Sequence, residues 1–154
     1  MDYLIITISL FFSAFFSGIE IAFVSSNKLQ IALDKEKGGF SEKLVFNFLN
    51  KQSNLITSML IGNNIALVIY GIFMAKICSK PFELFLINVL YFPEAANSLY
   101  FFVGLLEVLF SAMIVLLIAE FLPKAIFSII PNRGLKIFAV PISIIYIILY
   151  PLVL

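Results

Sequence analysis

Polar side chains interrupt the hydrophobic stretches of this sequence, where no water is available to bind them. Four of them share one face of a predicted first helix, because they are spaced four, four and three residues apart. They are Ser9, Ser13, Ser17 and Glu20. Close helix packing, with a serine bonding back to its own helix, explains Ser9 best. For the other three, packing or interfacial roles and an ion path both stay open.

A second polar cluster lies in the uncharged stretch 55–75, which carries Asn63 and Asn64 near its middle. At about 1.5 Å per residue this stretch can cross a hydrocarbon core of roughly 30 Å, where an unpaired amide is costly. The two side chains lie about 100° apart around a helix, so they need not share a partner. Hydrogen bonds to neighbouring helices and the lining of an ion path are the two explanations.

Two glutamates lie in the third hydrophobic stretch. Glu120 comes three residues before Pro123, which lacks an N–H and leaves helix carbonyls free. A carboxylate beside free carbonyls suits a hard cation, whereas an ion pair with Lys124 at the i, i+4 spacing is the alternative. Glu107 lies thirteen residues earlier, roughly 140° away around the helix, so the two cannot share one site unless the helix breaks between them. A second ion site, a dimer contact and a protonated carboxyl are the alternatives for Glu107.

The residue types available restrict the chemistry. The sequence has no histidine and one cysteine, which excludes histidine catalysis, a zinc–histidine site and a thiolate cluster. It offers no nucleophile–base pair, so we do not expect an enzyme. Serine, asparagine, glutamate and freed carbonyls all offer oxygen atoms as ligands. Oxygen ligands imply a hard ion: Mg²⁺, Ca²⁺, Mn²⁺, Na⁺ or H⁺.

The composition predicts an all-α integral membrane protein. Of 154 residues, 62% are hydrophobic and 12% charged, whereas soluble domains are about 45–50% apolar. Three membrane-spanning helices are predicted, at about 3–25, 55–75 and 99–122. A net charge of +1 implies no attraction to nucleic acid, and the lipid bilayer is the expected surrounding.

The intervening segments are predicted to lie at the membrane boundary. Residues 28–52 read as a juxtamembrane hairpin of two short helices around Gly38 and Gly39. Residues 76–98 contain an apolar run too short to span, which predicts an interfacial or re-entrant segment. Pro123 is expected to end or kink the third helix. We favour a bent belt helix over a fourth crossing for 137–154, because prolines interrupt it.

The basic residues give the orientation, since eight of them fall on one side of the predicted spans. By the positive-inside rule that side is cytoplasmic and the N-terminus is outside. The eight are Lys28, Lys35, Lys37, Lys43, Lys51, Lys124, Arg133 and Lys136. The apolar run at the N-terminus has no basic residue before it and is too long for a cleavable signal.

Three short motifs carry a resemblance to a known family. The sequence FSGIEIA at 16–22 resembles the F-S-G-x-E-x-A signature of the first helix of the cyclin M/CorC family. The sequence IGNN at 61–64 resembles the G-N-N of its second helix, and EFLPK at 120–124 resembles the E-x-x-P-K of its third. The motifs occur in the family's order, and the likeness extends over nearly the whole chain.

The resemblance implies transport or efflux of Mg²⁺, coupled to Na⁺, by alternating access. It further implies a homodimer in the bacterial inner (cytoplasmic) membrane, followed beyond residue 154 by a cytoplasmic CBS module. By motif match, the ion ligands fall on Ser13, Ser17, Asn63 and Glu120. Gly18, Glu20 and Asn64 would lie along the ion pathway. The alternative is a non-transporting membrane anchor or partner subunit of a gliding-type cell-surface complex, in which the same residues hold helices together.

Overall fold

The computed structural model describes residues 1–36, 38–91 and 97–153. Helices account for 92% of it and the described residues contain no strand, which confirms the all-α prediction. The elements in chain order are α1 (Asp2–Ser25), α2 (Lys28–Glu36), α3 (Phe40–Leu49), α4 (Gln52–Leu90), α5 (Asn97–Ile114), a π-helical segment (Val115–Phe121), α6 (Leu122–Ile129), α7 (Pro131–Ile137), α8 (Ala139–Leu149) and a 3₁₀ turn (Tyr150–Leu152).

The described residues contain three helices long and apolar enough to cross a membrane, as the sequence predicts. They are Asp2–Ser25, Gln52–Leu90 and Ser98–Ile129. The helices at Pro131–Ile137 and Ala139–Leu152 could together make a fourth, broken crossing, but they are bent by 71° at their junction. The bend lies at Phe138, at the start of the bent helix expected for 137–154, and α8 stays helical through Pro141. That this segment lies at the membrane boundary stays a prediction, and residue 154 lies outside the described residues.

The second long helix differs from its prediction. Residues 76–90 are not a separate interfacial or re-entrant segment, because α4 continues without a break through Pro81 to Leu90. Leu86 near its end packs in a buried cluster with Leu99 and Val103 of α5, and this packing holds the extension helical. At about 1.5 Å per residue, the 39 residues of α4 exceed the thickness of a hydrocarbon core. The rest of the predicted connection, at 92–96, lies outside the described residues.

The third long helix is also longer than predicted. Pro123 does not end it, since the chain stays helical to Ile129 and leaves helical geometry at Ile130, just before Pro131. The hydrogen bonding changes instead: residues 115–121 form a π-helix, and the Leu122 N–H donates to the Leu117 carbonyl. A π segment directly before Pro123 absorbs the proline without a sharp break.

The short helices α2 and α3 pack on each other as a hairpin, and α3 packs against α7 and α8. Gly38, in the link between them, has φ 81°, a left-handed conformation that favours glycine. Residue 37 of the predicted hairpin lies outside the described residues. The buried core of this region is built from Phe23, Ile31, Val45, Phe48, Leu135, Ile142 and Tyr146.

An ion pair connects the hairpin to α7. The Lys136 ammonium lies 2.6 Å from the Asp34 carboxylate, whose side chain is 5% exposed, and 3.9 Å from Glu42. The hairpin and the C-terminal helices are thus held as one cap on the end of α1.

Candidate ion-binding site

Helices α1 and α4 bring two of the predicted ligands into direct contact. The Ser13 hydroxyl donates a hydrogen bond of 2.6 Å to the side-chain carbonyl oxygen of Asn63, fifty residues away in sequence. Both side chains are buried. The two helices approach closely because Gly62 has no side chain: a Cβ there would lie 2.6 Å from the Phe16 ring. The contact joins a hydroxyl and an amide oxygen buried between the two helices.

Ser17, one turn further along α1, is fully buried, and its hydroxyl has no hydrogen-bond partner among the described residues. Two other buried serines, unlike Ser13, are satisfied by their own helices. The Ser9 hydroxyl donates to the Ile5 carbonyl and the Ser58 hydroxyl to the Asn54 carbonyl, both at 2.8 Å. Ser9 therefore makes the bond back to its own helix that the sequence favours. A buried hydroxyl left without a partner costs about 1–3 kcal/mol, which makes Ser17 the exception that needs a function.

The two neighbouring asparagines face different surroundings. Asn63 is buried against α1, whereas Asn64 is exposed on the outside of α4, as their separation around a helix predicts. The structure thus brings Asn63 to Ser13 and leaves Asn64 away from that contact.

Glu120 lies within the π-helical segment, which packs against α1, as α6 also does. Its partner among the described residues is Lys124, whose ammonium lies 3.5 Å from the carboxylate, with side chains 42% and 33% exposed for Lys124 and Glu120. This is the i, i+4 pair that the sequence offered as the alternative. In this conformation Glu120 is therefore on a segment adjoining the helix of Ser13 and Ser17 but is bonded to Lys124. A π segment is common at functional sites, because its hydrogen bonds are irregular.

Gly18 and Glu20 complete the set predicted on α1. Gly18 lets α6 approach closely, since a Cβ there would lie 2.7 Å from the Phe127 ring. The sequence contains no signal for Phe127, which also packs against Gly134 of α7. Glu20 is partly exposed. Both residues follow the buried Ser17 within one turn of α1.

Glu107 lies on the face of α5 that packs on α4. One of its carboxylate oxygens is buried without a partner among the described residues, beside a cavity of about 340 Å³ that Tyr70 and Ser111 also line. The Tyr70 hydroxyl donates to the Ser111 carbonyl at 3.2 Å. Sequence reasoning missed Tyr70, because a tyrosine in an apolar run reads as packing.

The oxygen donors that meet between α1 and α4 are hydroxyl and amide groups. The described residues contain no cluster of three or more His, Cys, Asp or Glu side chains. Glu120 of the neighbouring π segment, which packs against α1, is the carboxylate of the predicted ligand set. Such a set suits a hard cation held by neutral oxygens with a single charged ligand.

The long apolar helices and the polar contact buried between them define a multi-pass membrane protein with an intramembrane polar site. The family model of the cyclin M transmembrane N-terminal domain matches residues 4–154, so the chain belongs to this family. The resemblance predicted from the three motifs is confirmed. The chain is accordingly a membrane protein of a family associated with Mg²⁺ transport. No curated protein matches the sequence.

Proposed function

We propose that this domain carries Mg²⁺ across the membrane as its substrate, with Ser13, Ser17, Asn63 and Glu120 as ligands. The observation that supports this most directly is the buried, unpartnered hydroxyl of Ser17, one turn from the Ser13–Asn63 bond. A fully buried polar atom without a partner is rare in a folded protein, and its acceptor lone pairs are available to a cation.

The bonds present in this conformation are ones that an ion can replace. A cation between Ser13 and Asn63 takes over two oxygens that now satisfy each other. Glu120 gives up Lys124 at little cost, because a partly exposed pair is worth about 0–1 kcal/mol. One carboxylate among neutral oxygens binds an ion firmly enough to admit it and weakly enough to release it.

The transport cycle we propose is alternating access coupled to Na⁺, in a homodimer within the bacterial inner membrane. By the positive-inside rule, the basic residues favour a cytoplasmic position for the hairpin and Lys124 and an outside position for the N-terminus. The irregular π segment before Pro123 is the position where the third helix can bend, and it carries Glu120. A small bend there would move the only carboxylate of the set towards or away from α1.

A second candidate is a membrane anchor or partner subunit, and one feature favours it. The Ser13–Asn63 and Glu120–Lys124 contacts satisfy three of the four candidate ligands within the chain, as expected of groups that hold helices together. On this hypothesis, substitutions at these positions lower stability, and no ion changes the stability of any variant.

Thermal unfolding with and without Mg²⁺ separates the two candidates. A ligand that binds only the folded protein raises the melting temperature with its concentration. The sequence has no tryptophan, so unfolding is followed through the buried thiol of Cys78 with a thiol-reactive dye. We expect Mg²⁺ to stabilise the parent and the control Asn64→Ala, whose side chain is exposed.

We expect the same concentrations of Mg²⁺ to leave Asn63→Ala and Glu120→Gln unchanged. Flux into proteoliposomes should then fail for the same two variants. A melting temperature independent of Mg²⁺ in all four proteins would contradict the ion site and favour the anchor.

A further inference from the structure

A crevice with apolar walls and a few polar side chains, distinct from the ion site, lies where α3, the start of α4 and α8 meet. It encloses a cavity of about 380 Å³, with Asn47, Asn50, Lys51 and Tyr146 among the residues that line it. A second, open cavity of about 340 Å³ beside it shares Lys51, Tyr146 and Ile147 and is also lined by Tyr150. We call the two together the Lys51 crevice. Nothing in the proposed transport of ions uses these residues.

The buried side chain in this crevice lacks a hydrogen-bond partner. Tyr146 is 8% exposed, and its hydroxyl has no partner among the described residues. Its ring is fixed by edge contacts with Phe48 and Tyr150, at centroid distances of 6.1 and 5.6 Å. The nearby hydroxyl of Ser143 already donates to the Ala139 carbonyl. A buried phenol usually finds an acceptor. Because this hydroxyl has almost no accessible surface, a ligand in the crevice can accept its hydrogen bond only when the side chains around it shift on binding.

The electrostatics of the crevice favour a negatively charged ligand. Lys51 is exposed and forms no ion pair with the described residues. It also occupies the N-cap position of α4, where no described side chain caps the helix. The free N–H groups and the dipole of this long helix add partial positive charge at the same place. An ammonium, amides, a phenol and a helix N-terminus together make an anion site, and phosphate is the anion that such sites commonly bind.

We propose that the Lys51 crevice binds the phosphate of an anionic phospholipid headgroup. A lipid fits better than a free phosphate because the adjoining surface of α8 is apolar. Ile144, Ile147 and Ile148 are 55%, 70% and 66% exposed there. In a chain that spans a membrane, such side chains are covered by acyl chains. Ile147 itself lines the crevice, so headgroup contacts and acyl-chain contacts are continuous.

The test measures lipid binding to the purified chain in detergent by native mass spectrometry, with phosphatidylglycerol as the anionic probe and phosphatidylcholine as the neutral one. We expect phosphatidylglycerol to bind about tenfold more tightly. Lys51→Gln should lower its affinity about five- to tenfold, whereas Lys43→Gln, an exposed lysine outside the crevice, should not. Melting temperatures in detergent alone confirm that each variant folds.

Tyr146→Phe is the sharper variant, because it removes only the unpartnered hydroxyl. It should leave the melting temperature without lipid unchanged or raise it, and it should weaken phosphatidylglycerol binding about tenfold. A large excess of inorganic phosphate should not displace the lipid.

Three results would overturn the proposal. Equal losses in Lys51→Gln and Lys43→Gln would show general surface attraction. Unchanged lipid affinity in Tyr146→Phe would place the headgroup outside the crevice. Displacement by inorganic phosphate would make the ligand a small anion.

Discussion

Replacing Ser17 by alanine should stabilise the ion-free protein, although it alters a fully buried position on α1. The side-chain hydroxyl has no partner, so the parent bears a penalty of about 1–3 kcal/mol that the variant avoids. The small void left by one oxygen offsets part of this gain. A net gain of about 1 kcal/mol raises the melting temperature of a chain of this size by roughly 2–4 °C.

The neighbouring serine should respond in the opposite direction. Ser13→Ala removes the donor to Asn63 and leaves a buried amide oxygen unpaired, which should cost about 1–3 kcal/mol. Ser9→Ala is the matched control, because its hydroxyl bonds only to the Ile5 carbonyl of the same helix, and little change is expected.

The assay is thermal unfolding in detergent without divalent ions, followed by a Mg²⁺ titration. Ser17→Ala should be more stable at zero Mg²⁺ and should gain less than the parent as Mg²⁺ is added. If Ser17→Ala is instead destabilised without ions, as Ser13→Ala is expected to be, the hydroxyl has a partner and the reasoning from its burial is wrong.

Two further predictions concern packing and charge. Gly62→Ala should destabilise the protein by about 1–3 kcal/mol, because the new methyl group would meet the Phe16 ring at 2.6 Å. Gly71→Ala is the control, since a Cβ there has nothing within 4 Å and should not destabilise the protein. Equal melting temperatures for the two variants would contradict this prediction. Asp34→Asn should cost about 1–3 kcal/mol and speed amide hydrogen exchange in α2, because it removes the charge of a buried carboxylate and leaves Lys136 only its longer contact with Glu42. Asp2→Asn, which breaks a more exposed ion pair, is the control. Similar small effects in both variants would show that the hairpin is not held by charge.

The three long helices could be predicted from the sequence, because largely apolar stretches of more than about 18 residues have few other stable structures. The position at which α4 ends could not be predicted in this way. Pro81 and the charged residues near it suggest a break, but the cost of one missing hydrogen bond is offset by packing of Leu86 on α5. That partner lies beyond a connection and is not visible in a local pattern.

The candidate site, too, could be predicted from the sequence only in part. Helical periodicity places Ser9, Ser13 and Ser17 on one face, and the structure confirms that all three are buried. Periodicity does not tell which hydroxyl bonds to its own helix, which bonds across to Asn63 and which bonds to nothing. Those differences depend on what the facing helix presents at each turn, and this depends on tertiary packing.

In the proposed transport cycle, the site must remain stable when it is empty, since a carrier returns without its ion. The Ser13–Asn63 bond and the Glu120–Lys124 pair meet this requirement, because each satisfies a candidate ligand while the ion is absent. Ser17 does not, and its unpartnered hydroxyl makes the empty site less stable by an amount that ion binding can recover. When the ion binds, Ser13, Asn63 and Glu120 exchange a protein partner for the ion, whereas Ser17 gains its first partner. The net gain in free energy is therefore small enough for the ion to leave again. The Mg²⁺-dependent rise in melting temperature, compared between Ser17→Ala on α1 and Asn63→Ala on α4, would show how much of the ion-binding free energy each helix contributes.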